Sequence, residues 1–132
     1  MARPNNKFAE LLPNRSSAPP RSNRAMLASG NPAIQAIWSM VCAIPRGQVS
    51  TYGAVARAAG LAGRARLTGF ALKAAPAATY LPWHRVVGAG GRIVFPKTSL
   101  QHKEQSQRLR AEGVVVKNGR VARAFITNLE DL

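Results

Sequence analysis

From Asn31 onward the apolar residues fall into a helical rhythm. Asn31 before Pro32 has the form of an N-cap followed by proline at the first helical position, and Ile34, Ile37, Trp38 and Val41 follow at spacings of three and four. This predicts an amphipathic helix ending near Ala43, stopped by Ile44-Pro45-Arg46-Gly47, with Cys42 near its end as a small buried apolar residue. Gln48-Val49-Ser50 is a short extended piece. Ser50 or Thr51 then caps a helix through Val55 and Ala58 that closes at Gly60. After a turn containing Gly63, a third helix is expected from Ala65 to Ala75, ahead of Pro76. Two short helices across a glycine turn have the form of a helix-turn-helix. The second carries Arg64, Arg66 and Lys73 among small residues, Ala65, Gly69, Ala71, Ala74 and Ala75, which let a backbone approach another surface closely.

The pattern changes beyond Pro82. Val86-Val87 and Arg92-Ile93-Val94-Phe95 flank Gly88-Ala89-Gly90-Gly91 and predict a hairpin. Leu100 to Ala111 predicts a strongly polar helix stopped by Gly113. Val114-Val115-Val116 and Val121 to Ile126 flank Lys117-Asn118-Gly119-Arg120, whose Asn-Gly pair favours a tight hairpin turn. The expected fold is mostly α with small β-hairpins, a winged helix-turn-helix-like DNA-binding domain over residues 30–132. Residues 1–29 hold few apolar positions and repeated Asn, Pro and Ser, which predicts a basic, disordered tail.

Charge narrows the partner. The chain has 132 residues, with 19 Lys plus Arg against 5 Asp plus Glu and a formal net charge of +14. The tail holds five basic residues and Glu10, so most of the excess lies in the folded part. Such an excess points to a polyanion, nucleic acid by default. With so few acids, paired-carboxylate hydrolysis is nearly excluded. His84 and His102 lack neighbouring Cys or Asp, so no metal site is expected, and neither is a cofactor. One cysteine favours a reducing compartment, and the absence of a long apolar run argues against a membrane span or secretory leader. The expected location is cytoplasmic, associated with the nucleoid, and the expected state monomeric.

Ile44-Pro45-Arg46-Gly47-Gln48-Val49-Ser50-Thr51-Tyr52-Gly53, Ala65-Arg66-Leu67-Thr68-Gly69, Pro82-Trp83-His84-Arg85-Val86-Val87 and Ala111-Glu112-Gly113 occur in one order. Over residues 31–116 this series resembles the DNA-binding, alkyl-accepting domain of the O6-alkylguanine-DNA alkyltransferases. Their active-site motif reads proline-cysteine-histidine-arginine-valine, and Trp83 stands at the cysteine position here. Direct repair needs a thiolate that attacks the alkyl carbon and keeps it, and an indole has neither lone pair nor base to offer. The Trp form resembles the alkyltransferase-like proteins, which bind alkylated guanine without repairing it and flag it for nucleotide-excision repair.

The resemblance implies DNA contacts from Thr51, Tyr52, Ala65, Arg66, Gly69 and Lys73. Tyr52 would press on the target phosphate, and Arg66 would fill the gap left by the flipped base. A lesion pocket would be drawn from Trp83, His84, Arg85, Val86 and Lys97, with Arg92 a second candidate cation. His84 and Glu112 would persist as a structural hydrogen-bond network, leaving no catalytic residue. Two features depart from the family: Ala75 precedes Pro76 where the family has asparagine, and Phe95-Pro96-Lys97-Thr98-Ser99 replaces a glycine-rich loop. The expected partners are duplex DNA carrying O6-alkylguanine and nucleotide-excision repair proteins. Two alternatives stand beside this reading. One is residual alkyltransferase or glycosylase chemistry through Cys42, or through a water activated by His84 and Glu112; Cys42 is not expected to reach the pocket. The other is a winged-helix transcription regulator, against which the alanine- and glycine-rich third helix argues, since major-groove readers present several polar side chains.

Overall fold

A computed structural model describes residues 30–76 and 80–131; the expected tail, residues 1–29, lies outside the described residues. Helix α1 spans Pro32–Cys42. The Asn31 side-chain oxygen accepts from the backbone N–H of Ala33 (2.8 Å) and Ile34 (3.3 Å), satisfying donors that a helix start leaves open. Helix α2 spans Tyr52–Ala58, and the Thr51 hydroxyl accepts from Ala54 N–H at 3.0 Å. Helix α3 spans Ala65–Ala74, one residue short of the expected end. Between α2 and α3, Gly60 (φ +83) and Gly63 (φ +82) take the left-handed backbone that turns the chain. Helix α4 spans Leu100–Ala111 as expected, capped by Ser99.

Two side-chain bonds fix α3 from behind. Trp38 Nε1 donates to the Ala71 carbonyl of α3 at 2.8 Å, and the buried Thr68 hydroxyl donates to the Tyr52 carbonyl at 3.1 Å. Thr68, Ala71, Leu72 and Ala74 are buried. The core around them includes Ile34, Ile37, Val41, Val55 and Trp83.

The glycine hairpin expected between residues 86–87 and 92–95 does not form. Strand β1 (Ser50–Thr51) instead pairs in parallel with β2 (Val86–Val87), in the register Ser50 to Val86 and Thr51 to Val87. The cause lies in burial. Val86 belongs to the helical core and Val87 to a second core of Val49, Ile93, Leu109, Val114, Val116 and Val121. Successive strand side chains point to opposite faces, so β2 is a partition with apolar material on both sides, a place an exposed hairpin cannot occupy. Residues 92 and 93 join the other hairpin, Ile93 N–H donating to the Gly119 carbonyl at 2.8 Å.

That second hairpin forms as expected, though shorter. Strand β3 (Val116–Lys117) pairs antiparallel with β4 (Arg120–Val121). Asn118 (φ +53) and Gly119 (φ +73) supply the two positive φ values of a primed turn. The chain from Arg123 to Phe125 then coils into a 3-10 turn instead of continuing as strand. Among the described residues no helix is long and apolar enough to cross a membrane.

Gly91 sits at φ +88, and a Cβ there would lie 2.7 Å from the Val121 carbonyl oxygen. Gly91→Ala should destabilise the protein by about 2–3 kcal/mol. Gly69, inside α3, has nothing within 4 Å of an added Cβ. Gly69→Ala should instead stabilise by up to about 1 kcal/mol. Urea denaturation of the two variants beside wild type checks both signs.

Candidate nucleic-acid interface

With one side of α3 buried, the opposite side presents Arg66, Phe70 and Lys73, all exposed. At 3.6 residues per turn these positions line one helix face. Ala65 and Gly69 flank the line on one side and are partly exposed. Gly63, Arg64, Ala65, Arg66, Leu67 and Phe70 line a shallow cleft of about 620 Å³ at the start of the helix. Tyr52 opens α2 and packs partly buried against the helical core. Burial pushes its phenol up to about 12, so the hydroxyl keeps its proton and stays a neutral group able to donate. Thr51 is committed to capping α2.

A compact ionic network centres on Glu112. The Glu112 carboxylate accepts from Arg85 Nε (3.1 Å) and Nη2 (2.9 Å), from Gly47 N–H (3.0 Å), and meets His84 Nε2 at 2.7 Å. Arg85 Nη1 also donates to the Ile44 carbonyl at 2.9 Å. Burial alone would raise the Glu112 carboxyl, but the bonds from Arg85, Gly47 and His84 prevail and hold it at about 2. His84 is lowered, first by burial and further by Arg85 and Arg108, with Glu112 opposing. The neutral ring therefore donates Nε2–H to Glu112. Its Nδ1 is left as a buried acceptor without a hydrogen-bond partner among the described residues. Gln105 of α4 donates to the His84 and Val86 carbonyls at 3.0 and 2.9 Å, holding the segment between them in place.

The pocket residues separate. Trp83 and Val86 are each 1% exposed and stand in the core. The Trp83 ring meets His84 and Phe95 edge-on, both at 6.3 Å, and Arg108 covers its face at 5.9 Å. His84 and Arg85 line a cleft of about 530 Å³ with Cys42, Tyr80, Leu81, Pro82 and Arg108. Lys97 stands by the Asn118-Gly119 turn, its Cε 3.6 Å from a Cβ built on Gly119. Arg92 bridges to Arg120 of the same hairpin.

Two readings of Cys42 need correction. It is exposed, not buried, and it reaches the cleft that His84 lines. It falls on the solvent side of the last turn of α1, next to the inward Val41, while residues 80–85 fold back alongside it. Desolvation raises its thiol above the ordinary range, which disfavours the thiolate. Phe70 was overlooked among the small residues of α3, although its spacing of four from Arg66 places the two on one face. Among the described residues no group of three His, Cys, Asp or Glu is placed to hold a metal ion.

A helix-turn-helix pair braced from behind, with a cationic outer face, defines a mostly helical nucleic-acid-binding domain with small strand pairs. Residues 32–114 match the family model described as 6-O-methylguanine DNA methyltransferase, DNA binding domain, and the chain belongs to that family. A DNA base-flipping protein of Escherichia coli is 49% identical over 82 residues, which is 62% of each chain. The chain thus spans less than two thirds of that relative's length. Alkyltransferase-like protein 1 of Schizosaccharomyces pombe is 41% identical over 80 residues, 61% of this chain and 74% of that one. The crystal structure of S. pombe Atl1 in complex with damaged DNA containing O6-carboxymethylguanine superposes with a TM-score of 0.61 at 33% identity. That superposition covers 72% of this chain and 94% of Atl1.

The network makes stability acid-sensitive in two stages. Both groups bind fewer protons folded than unfolded, so both contribute stability that falls as pH falls. The His84 contribution is present above its ordinary 6.5 and is lost below it. That of Glu112 is full above 4.5 and disappears towards about 2. Thermal melts between pH 8 and pH 3 should show both declines. Glu112→Gln should remove the lower one and cost about 3–5 kcal/mol at neutral pH, because the Arg85 charge loses its partner.

Proposed function

We propose that this protein recognises O6-alkylguanine in duplex DNA without repairing it. Helix α3 enters the minor groove, Arg66 occupies the space of the displaced base, and Tyr52 donates to the phosphate of the target nucleotide. The observation that carries the proposal is the residue at the nucleophile position: Trp83 sits directly before the intact His84–Glu112–Arg85 network. The frame that holds a reactive side chain remains, while the side chain itself has no lone pair to donate.

The exposed face of α3 supports the DNA geometry. Ala65 and Gly69 leave room for a groove wall, and Arg66 is unencumbered by any ion pair among the described residues. A flat guanidinium stacks on bases and bonds the orphaned partner, which an ammonium does less well. A regulator reading the major groove needs polar side chains along this face, and the face here offers Arg66, Phe70 and Lys73. The relatives named for base flipping and the Atl1 complex with damaged DNA support the same reading. Since the protein alters no bond, its output is the complex itself, a flipped and bent lesion presented to the nucleotide-excision machinery. The working unit is a monomer in the cytoplasm, its domain running from residue 30 to 132 and its basic tail from 1 to 29.

A second reading has one observation in its favour, the placement of Cys42 in the cleft of His84 and Arg85. It would make Cys42 an alkyl acceptor, but a thiol raised by partial desolvation holds little thiolate at neutral pH.

The decisive experiment is a fluorescence-anisotropy titration with duplexes carrying or lacking one O6-methylguanine. Preference for the damaged duplex is expected, with a log–log salt slope of about −4 to −5 if about five phosphates are neutralised. Arg66→Ala should erase most of the preference, weakening lesion binding about tenfold or more with folding intact. Equal affinity of wild type for both duplexes overturns the recognition claim. A radiolabelled alkyl group should stay on the DNA, and label moving to wild type but not to Cys42→Ser would establish the second reading.

A further inference from the structure

We propose that Phe70 is a second DNA-inserting residue, an apolar wedge beside Arg66 that widens the minor groove and deepens the bend. This rests on the DNA-binding reading above and adds a residue to it. Phe70 is 42% exposed, one of the few large apolar side chains of the described surface. It sits four residues after Arg66, and both line the shallow cleft at the start of α3. Neighbours at this spacing stand about one turn apart on the same face.

The helix geometry makes the face asymmetric. Along the line from Arg66 to Lys73, Ala65 and Gly69 fall on one side, while Leu67 and Phe70 fall on the other. The first side has almost no relief, so the backbone can lie against one sugar-phosphate wall. On the second side Leu67 packs back against the helical core and the Phe70 ring stands out to meet the opposite wall. Phosphates do not favour an aromatic ring, whereas deoxyribose and unstacked base edges do. Apolar side chains that enter a minor groove act as wedges, partly unstacking a step and kinking the duplex towards the major groove. The cations on either side hold the strands while the ring separates them. Arg66 then replaces the extruded base, and Phe70 opens the groove through which that base leaves. In this arrangement the ring contributes shape, and its effect is independent of ionic strength.

The test compares wild type, Phe70→Ala, Phe70→Leu and Lys73→Ala on a short labelled duplex with one central O6-methylguanine and on its undamaged twin. Affinity is measured across a salt series, and the bend by energy transfer between dyes at the duplex ends. Phe70→Ala should bind the damaged duplex about tenfold more weakly with an unchanged salt slope and a smaller bend. Phe70→Leu, still apolar, should recover most of both. Lys73→Ala should lower the slope by about one and weaken binding to both duplexes alike. Phe70→Ala binding as wild type does, with the same bend, overturns the proposal. So does tighter binding, which would mean that the ring holds α3 away from the groove. Wild type binding neither duplex would overturn the DNA-binding reading itself, a result separate from either of these. Thermal melts of the variants confirm that each remains folded, as expected for an exposed position.

Discussion

Three distant parts of the chain meet at one carboxylate. Glu112, just past the end of α4, accepts from the Gly47 backbone, from the Nε and Nη2 of one edge of the Arg85 guanidinium and from His84. Arg85 extends the tie to the Ile44 carbonyl at the end of the first helical segment. A buried carboxylate is costly unless its lone pairs are met, and here charge-assisted bonds meet them. The consequence reaches further than the ions. Gly47 leads directly into β1, whose Thr51 caps α2, and α2 holds α3 through Thr68. The position of the outward face of α3 therefore depends on the network at Glu112.

The short parallel ladder of β1 and β2 carries that dependence across the molecule. Val86 faces the helical core and Val87 faces the core beneath the β3–β4 hairpin, so the two apolar clusters share one backbone wall. Trp83, immediately before this wall, is packed by His84, Phe95 and Arg108. An indole in that place adds much buried apolar area where a thiol would add little. Trp83 thus fills the interior next to the His84–Glu112 pair. In the proposed complex a flipped base would lie against this filled wall, not beside a reactive atom.

Local chemistry was legible in the sequence wherever a residue acts on its near neighbours. Asn31 and Thr51 cap the helices they precede, and Asn118-Gly119 makes the turn expected of it, because each motif is satisfied within a few residues. Val86-Val87 was misread because a pair of valines has no period: it suits a hairpin edge and a doubly buried strand equally. Only the second core, assembled from residues as distant as Val49 and Val121, distinguishes them. The Glu112 network was reachable only through the family resemblance, since Gly47 and Glu112 lie 65 positions apart. Cys42 and Phe70 failed for a simpler reason: composition assigned them to the interior or passed them over, while helix phase places them outside.

The same geometry limits what charge explains. Glu104, Glu112 and Glu130 each meet an arginine, so these three carboxylates are already committed. The basic excess is consequently left to face solvent, and Arg64, Arg66 and Lys73 are exposed along one end and face of α3. Such a field draws any duplex at long range and weakens with salt. It cannot tell one base from another, since every phosphate answers to it alike. In the proposed complex, selectivity comes from groups whose contribution survives screening: a neutral phenol at Tyr52, the flat guanidinium of Arg66, the low relief of Gly69 and a filled wall at Trp83. Gly69 shows the cost of that arrangement. Alanine there would suit the helix better, yet the open space at its Cα lies on the face that approaches DNA in the proposed complex. In that proposed complex, the residue that weakens α3 in isolation is the one that keeps its surface low enough to enter a groove.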